Sequence, residues 1–141
     1  MQQLLDIPGI GLLTATALRA AIVDIQRFPS GRHLASWLGL TARESSSAER
    51  RRLGRISKRG DVYLRTLLIH GARAVLNATL AAAKRGRTLD RLRAWALATQ
   101  QRCGYNKATV ALANKLARIL FATWKYQRSF DGNWARPAAV S

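Results

Sequence analysis

The stretch from Asp61 to Ala83 constrains the fold more than any other part of the chain. Its apolar residues Leu64, Leu67, Leu68, Ala72, Val75, Leu76 and Leu80 recur at three- and four-residue spacing and spread around most of a helix circumference. At about 100° per residue, His70, Arg73, Asn77 and Lys84 gather into one narrow polar strip. A helix this apolar needs other helices around it, so the pattern predicts the central element of a bundle.

The flanking sequence supplies those helices. Apolar spacing of three and four continues along the chain and no sustained period-two alternation interrupts it, so the fold class is all-α. Leu4 to Ile7 forms a short apolar turn, Pro8-Gly9-Ile10-Gly11 breaks it, and Leu12 to Val23 resumes as an Ala- and Leu-rich helix. Pro29 stops the chain, and Ser30 is a suitable N-cap for a helix reaching about Leu38, where Gly39 ends it. After the central helix, Gly86 is a break and Thr88 a candidate cap for a helix over about 88–102. Gly104 then precedes a last helix over about 107–127. In that helix Leu112, Leu116, Ile119 and Leu120 share one face, while Lys107, Lys115, Arg118 and Lys125 fall within about 80° on the opposite side. Residues 1–130 thus read as one helical domain. The segment 131–141, polar and without periodicity, reads as a loosely ordered tail.

Charge narrows the function. The 141 residues carry 24 Lys and Arg against 7 Asp and Glu, a formal charge of +17, and 48 % of them are apolar. That apolar fraction is too high for a disordered basic tail, so this is a folded cationic protein whose natural partner is a polyanion. One cysteine, Cys103, cannot form an internal disulfide, and with only His33 and His70 beside it no zinc cluster is available. No secretory leader pattern opens the chain, and no stretch reaches the ~20 uninterrupted apolar residues of a membrane span. The expected location is cytoplasmic, with no membrane partner.

Three constellations bear on chemistry. The first, Leu4 to Ala15, places an apolar residue between Gly9 and Gly11 with short helices on either side, the pattern of a helix-hairpin-helix over about 4–23. Pro8, Gly9, Ile10 and Gly11 would then grip a nucleic-acid backbone, because glycine permits close approach and the first amides of the second helix are unpaired donors. A plain helix-turn-helix corner buried in a core satisfies the same pattern. The second is the loop of about 39–60, where Arg43, Arg50, Arg51, Arg52, Arg55, Lys58 and Arg59 surround Ser45, Ser46 and Ser47. Hydroxyls among guanidinium groups suit covalent attack on a phosphodiester, since Arg neutralises the developing charge. The same composition also suits a loop that merely contacts phosphate. The third is the set of acids, Asp6, Asp24, Glu44, Glu49, Asp61, Asp90 and Asp131. They are dispersed, no pair has a spacing that would hold magnesium, and the chain is expected to carry no metal site or cofactor of its own. His70 reads as a satisfied polar residue on the central helix rather than a general base, and Trp37, Trp95 and Trp124 read as core.

Taken in order, several segments resemble one family. They are Ile7-Pro8-Gly9-Ile10-Gly11 with Thr14-Ala15, Arg27-Phe28, Ser30-Gly31-Arg32, and Trp37-Leu38-Gly39-Leu40. Arg43, Ser46-Ser47, Leu53-Gly54-Arg55-Ile56-Ser57-Lys58-Arg59-Gly60-Asp61, Tyr63-Leu64-Arg65, His70-Gly71-Ala72-Arg73 and Ala113-Asn114-Lys115-Leu116-Ala117-Arg118-Ile119 continue the series. The set is similar to the C-terminal domain of insertion-sequence transposases of the IS116/IS110/IS902 type and covers about residues 4–125.

The resemblance implies a helical domain that binds DNA and contributes a serine nucleophile, Ser47 or, second, Ser46, to transposition. It implies that Arg43, Arg55, Lys58 and Arg59 neutralise phosphate, alongside the other basic candidates Arg50, Arg51, Arg52, Arg65, Lys115 and Arg118. It further implies a RuvC-like domain bearing four metal-binding acids, with its Mg2+, and a structured guide RNA. That domain is expected on another segment or on a full-length transposase copy, so that this chain is not active alone. Homo-oligomerisation belongs to the same expectation. Ala42 stands where the family usually has Pro, and Ala48 where it has Gly directly after the serines. A stand-alone nucleic-acid-binding protein, including a ribosome-associated one, and an inactive transposase remnant are the alternative readings.

Overall fold

The computed structural model describes residues 2–40 and 62–133. Six α-helices make up this part, with no strand among the described residues: α1 (Gln2–Leu5), α2 (Leu12–Ala21), α3 (Gly31–Trp37), α4 (Val62–Lys84), α5 (Arg91–Cys103) and α6 (Tyr105–Tyr126). A single 3-10 turn, Ile25–Arg27, links α2 to α3. The all-α reading therefore holds.

The two long helices form the axis of the bundle. Leu64, Leu68, Ala72, Val75 and Leu76 of α4 are buried, as are Leu112, Ala113, Leu116, Ala117, Leu120 and Phe121 of α6. α5 packs against both, α3 lies on α6, and the α1–α2 pair closes the other end against α6 and α4. One continuous core results, to which Leu4, Ile7, Ile10, Leu18, Ile22, Leu34 and Leu38 contribute from the N-terminal part. Buried threonines do not disturb it: Thr79, Thr99 and Thr109 each donate their hydroxyl to the carbonyl four residues earlier. Among the described residues no buried side-chain nitrogen or oxygen lacks a partner.

Helix ends follow local chemistry. Ser30 caps α3 by accepting from the His33 amide, and α3 stops at Gly39, which has a φ of 76°. There the Leu40 amide donates back to Ala35 and the Gly39 amide to Ser36, the paired bonds of a Schellman stop. The α5 cap is Asp90 rather than Thr88. Its carboxylate accepts from the Arg93 amide and pairs with the Arg93 guanidinium, and a carboxylate at a helix start is favoured over a hydroxyl by the dipole. The polypeptide after α6 returns to this same cap. The Arg91 amide donates to the Asn133 side chain and the Leu92 amide to the Gly132 carbonyl, so 131–133, placed by the sequence in a loose tail, are bonded to α5.

By length and composition α4 is apolar enough to cross a membrane, and 28 % of its most apolar window is buried inside the fold. In this bundle its leucine side faces α6 and α5 while Arg65, His70, Arg73 and Asn77 interrupt its surface.

Candidate nucleic-acid interface

The regions flagged by the sequence differ in what the described residues show of them. The hairpin between α1 and α2 is built on a close contact with α4. Gly9 has a φ of 83°, and a Cβ added there would lie 2.9 Å from the Gly71 carbonyl oxygen. A Cβ on Gly71 would in turn run into the Gly9 carbonyl. The close approach that Gly9 permits is therefore to another backbone inside the molecule. Ile7 and Ile10 are buried and Pro8 is half-buried. The open part of the turn is Gly11, around which nothing lies within 4 Å of an added Cβ. Gly11 is the N-cap of α2, offers no side chain to its amides, and is followed by the exposed pair Leu12 and Leu13. Asp6 is also exposed.

The basic face of α6 is split. Lys107 and Arg118 are exposed, with Gly31 of α3 packed against the Arg118 backbone. Lys115 and Lys125 are half-buried. The Lys115 ammonium sits 4.8 Å from the centre of the Trp95 ring. Lys125 donates to the Phe28 carbonyl at 3.1 Å and lies over the Phe121 and Tyr126 rings. Arg19 over Trp124 and Arg27 over Trp37 repeat the motif. Each of these tryptophans is thus half-buried at the rim of the core with a cation on its outer side, which a reading of the tryptophans as core packing did not include. Residue periodicity sends the cation of such a pair to solvent and the ring to the core, because it knows nothing of a neighbouring helix.

The serine loop lies outside the described residues, together with Ser46, Ser47, Arg43, Arg50, Arg51, Arg52, Arg55, Lys58 and Arg59. Its flanks are defined. Leu40 is buried, and its carbonyl accepts from the Asn114 side chain of α6 at 3.1 Å. Chain returns at Val62, where α4 begins, and Arg65 in the first turns of α4 is half-buried. Asn114 is a residue that periodicity passed over. Its only sequence signal was membership in the Ala113-Asn114-Lys115 segment.

On the outer side of α4 the polar strip is present and extends further than the sequence indicated. His70, Arg73, Asn77 and Lys84 are exposed, and Tyr63 and Thr66 continue the line toward the loop. The Tyr105 hydroxyl of α6 donates to the Asn77 side-chain oxygen at 2.8 Å. Sixteen of the 24 basic residues but only four of the seven acids fall in the described part, and among the described residues no three His, Cys, Asp or Glu side chains gather as a metal site.

The described residues thus form an all-helical, cationic domain with an open helix start and exposed basic side chains. The chain belongs to the transposase IS116/IS110/IS902 family, whose profile matches residues 1–87. It is 48 % identical over 122 residues, 86 % of its own length, to a probable family 20 transposase of Pseudomonas aeruginosa. It is 43 % identical over 129 residues, 92 % of its length, to the transposase for insertion sequence element IS1111A of Coxiella burnetii. With the transposase for IS1328 of Yersinia enterocolitica it shares 38 % over 118 residues, or 84 % of its length. The chain spans about a third of each of these relatives, 34 % in all three. No solved structure matches it.

Proposed function

We propose that this chain is the DNA-binding helical portion of an insertion-sequence transposase and supplies the serine that becomes joined to DNA during transposition. The reading is supported above all by charge in a transposase-family chain: the described residues carry four times as many basic side chains as acidic ones. Nucleic acid is the polyanion that such a surface meets in a DNA-rearranging protein. Gly11 with the α2 amides, and the Arg-rich segment between Leu40 and Val62, are the two places we assign to DNA backbone. The protein acts in the cytoplasm, where its DNA is accessible.

In the covalent step the oxygen of Ser47, or of Ser46, forms a bond to the phosphorus of a phosphodiester. The bond to one deoxyribose oxygen breaks, and the proton lost by the serine hydroxyl is balanced by the one that the departing oxygen takes up to become a free hydroxyl. Arg43, Arg55, Lys58 and Arg59 offset the charge that builds on the phosphoryl oxygens. A RuvC-like portion, contributed by a longer transposase copy, would hold Mg2+ for the reaction. The described residues of this chain do not form such a site. A structured guide RNA and self-association complete the proposed assembly.

The experiment joins the 141-residue chain to the part of a longer relative that lies outside the region matching it, and adds end-labelled element DNA. A covalent protein–DNA adduct, resistant to denaturant, is expected with Ser46 and Ser47 present and absent when both are Ala. An adduct that survives the double substitution removes the serine assignment. A chain that binds DNA but never supports an adduct leaves the alternative reading, binding without chemistry.

A further inference from the structure

The outer face of α4 is unusual for the central helix of a bundle. Tyr63, His70, Asn77 and Lys84 follow one another at seven-residue intervals, with Thr66 and Arg73 between them. At about 100° per residue all six lie within about 80° of one another. His70, Arg73, Asn77 and Lys84 are exposed, and Ala74 and Ala81, also exposed, keep the surface between them low. α4 contains no acid, and His70, Arg73 and Lys84 have no carboxylate partner among the described residues. Asn77 is oriented by the Tyr105 hydroxyl, which occupies its oxygen and leaves its NH2 group as a donor.

We infer that this stripe is a docking face for double-stranded DNA, with Arg73 and Lys84 on phosphates and His70 and Asn77 donating to the duplex between them. The inference rests on the DNA-binding reading above and deepens it by naming the surface. Charge complementarity carries it: the stripe offers cations and donors, low Ala positions let a bulky rod approach, and nothing on α4 repels phosphate. From Tyr63 to Lys84 the stripe is about 32 Å long at 1.5 Å per residue. That is close to one turn of B-form duplex, roughly 34 Å. B-form DNA also has a major groove about 12 Å wide that admits a helix face, whereas the major groove of an RNA duplex is deep and narrow. Because α4 begins where the serine segment ends, DNA held along the stripe reaches the point at which that segment joins α4.

The test measures binding of the 141-residue chain to a 24-base-pair labelled DNA duplex across a series of salt concentrations. Arg73→Gln with Lys84→Gln is expected to weaken binding about tenfold or more and to lower the log–log salt slope by about 1.8, the value for two phosphates. Ala74→Glu, which removes no native group, is expected to weaken it as well. Arg32→Gln with Arg128→Gln removes the same charge from exposed positions outside α4 and is expected to change affinity less than threefold. Equal losses for the two double variants overturn the stripe while leaving DNA binding intact. So does an RNA duplex that binds as tightly and loses as much on Arg73→Gln with Lys84→Gln. Stripe variants that bind DNA normally but alter self-association in sedimentation overturn it in favour of a protein partner. No DNA binding by the unaltered chain at low salt instead removes the underlying DNA-binding reading.

Discussion

Gly9 and Gly71 face each other backbone to backbone, so that the turn between α1 and α2 is seated directly on α4. Neither has room for a methyl group. Gly71→Ala adds helix propensity worth about 1 kcal/mol, but its methyl meets a carbonyl that can move only with the whole turn. The clash wins. The expected net loss is about 2 kcal/mol, read as a fall in urea midpoint with an unchanged slope. Gly9→Ala adds the cost of a positive φ to the same clash and is expected to lose at least as much. A Gly71→Ala protein as stable as the parent would show that the two backbones do not touch in solution.

Asn114 ties α6 to the residue from which the serine segment departs. Asn114→Ala removes the donor to the Leu40 carbonyl and leaves a buried-side acceptor unpaired, with an expected cost of about 1–2 kcal/mol. Amide hydrogen exchange separates this from a general loosening: protection at Gly39 and Leu40 falls more than protection in α5. Uniform loss across the bundle would contradict the tie.

The split of the α6 basic face has a measurable signature. Lys125→Met keeps the aliphatic stem but loses the bond to the Phe28 carbonyl and the ring contacts, at an expected cost of about 1–2 kcal/mol. Lys107→Met, at an exposed position, is expected to stay within about 0.5 kcal/mol of the parent. Thermal melts of the two variants under identical conditions decide it, and equal melting temperatures would mean that Lys125 is as free as Lys107.

Asp90 satisfies the α5 start in two ways that substitution can separate. Asp90→Asn keeps an acceptor for the Arg93 amide and loses the ion pair, which is partly exposed and worth about 0–1 kcal/mol. Asp90→Ala loses both and is expected to cost about 1–2 kcal/mol. A larger loss for Asn than for Ala, by chemical denaturation, would refute the cap.

Much of the fold was legible in residue spacing. The apolar positions of α4 and α6, the Ser30 cap and the Gly39 stop are properties of short windows, in which periodicity and capping chemistry act locally. The polar strip on α4 was legible for the same reason. Thr88 and Asp90, a hydroxyl and a carboxylate two residues apart, both qualify locally as the α5 cap. The decision lay with Arg93 and with Gly132 and Asn133, which arrive from forty residues away.

By itself the sequence determined a cationic helical chain, the family, and which side of each helix is apolar, because those follow from composition and order. Only the tertiary structure decided what meets what. It spent Gly9 on Gly71 instead of leaving it for phosphate, laid Lys115 and Lys125 on aromatic rings, and left His70, Arg73, Asn77 and Lys84 outward. The physical reason is common to all three. Burial and charge pairing depend on which second helix lies within a few ångströms, and that neighbour is set by the packing of the whole bundle.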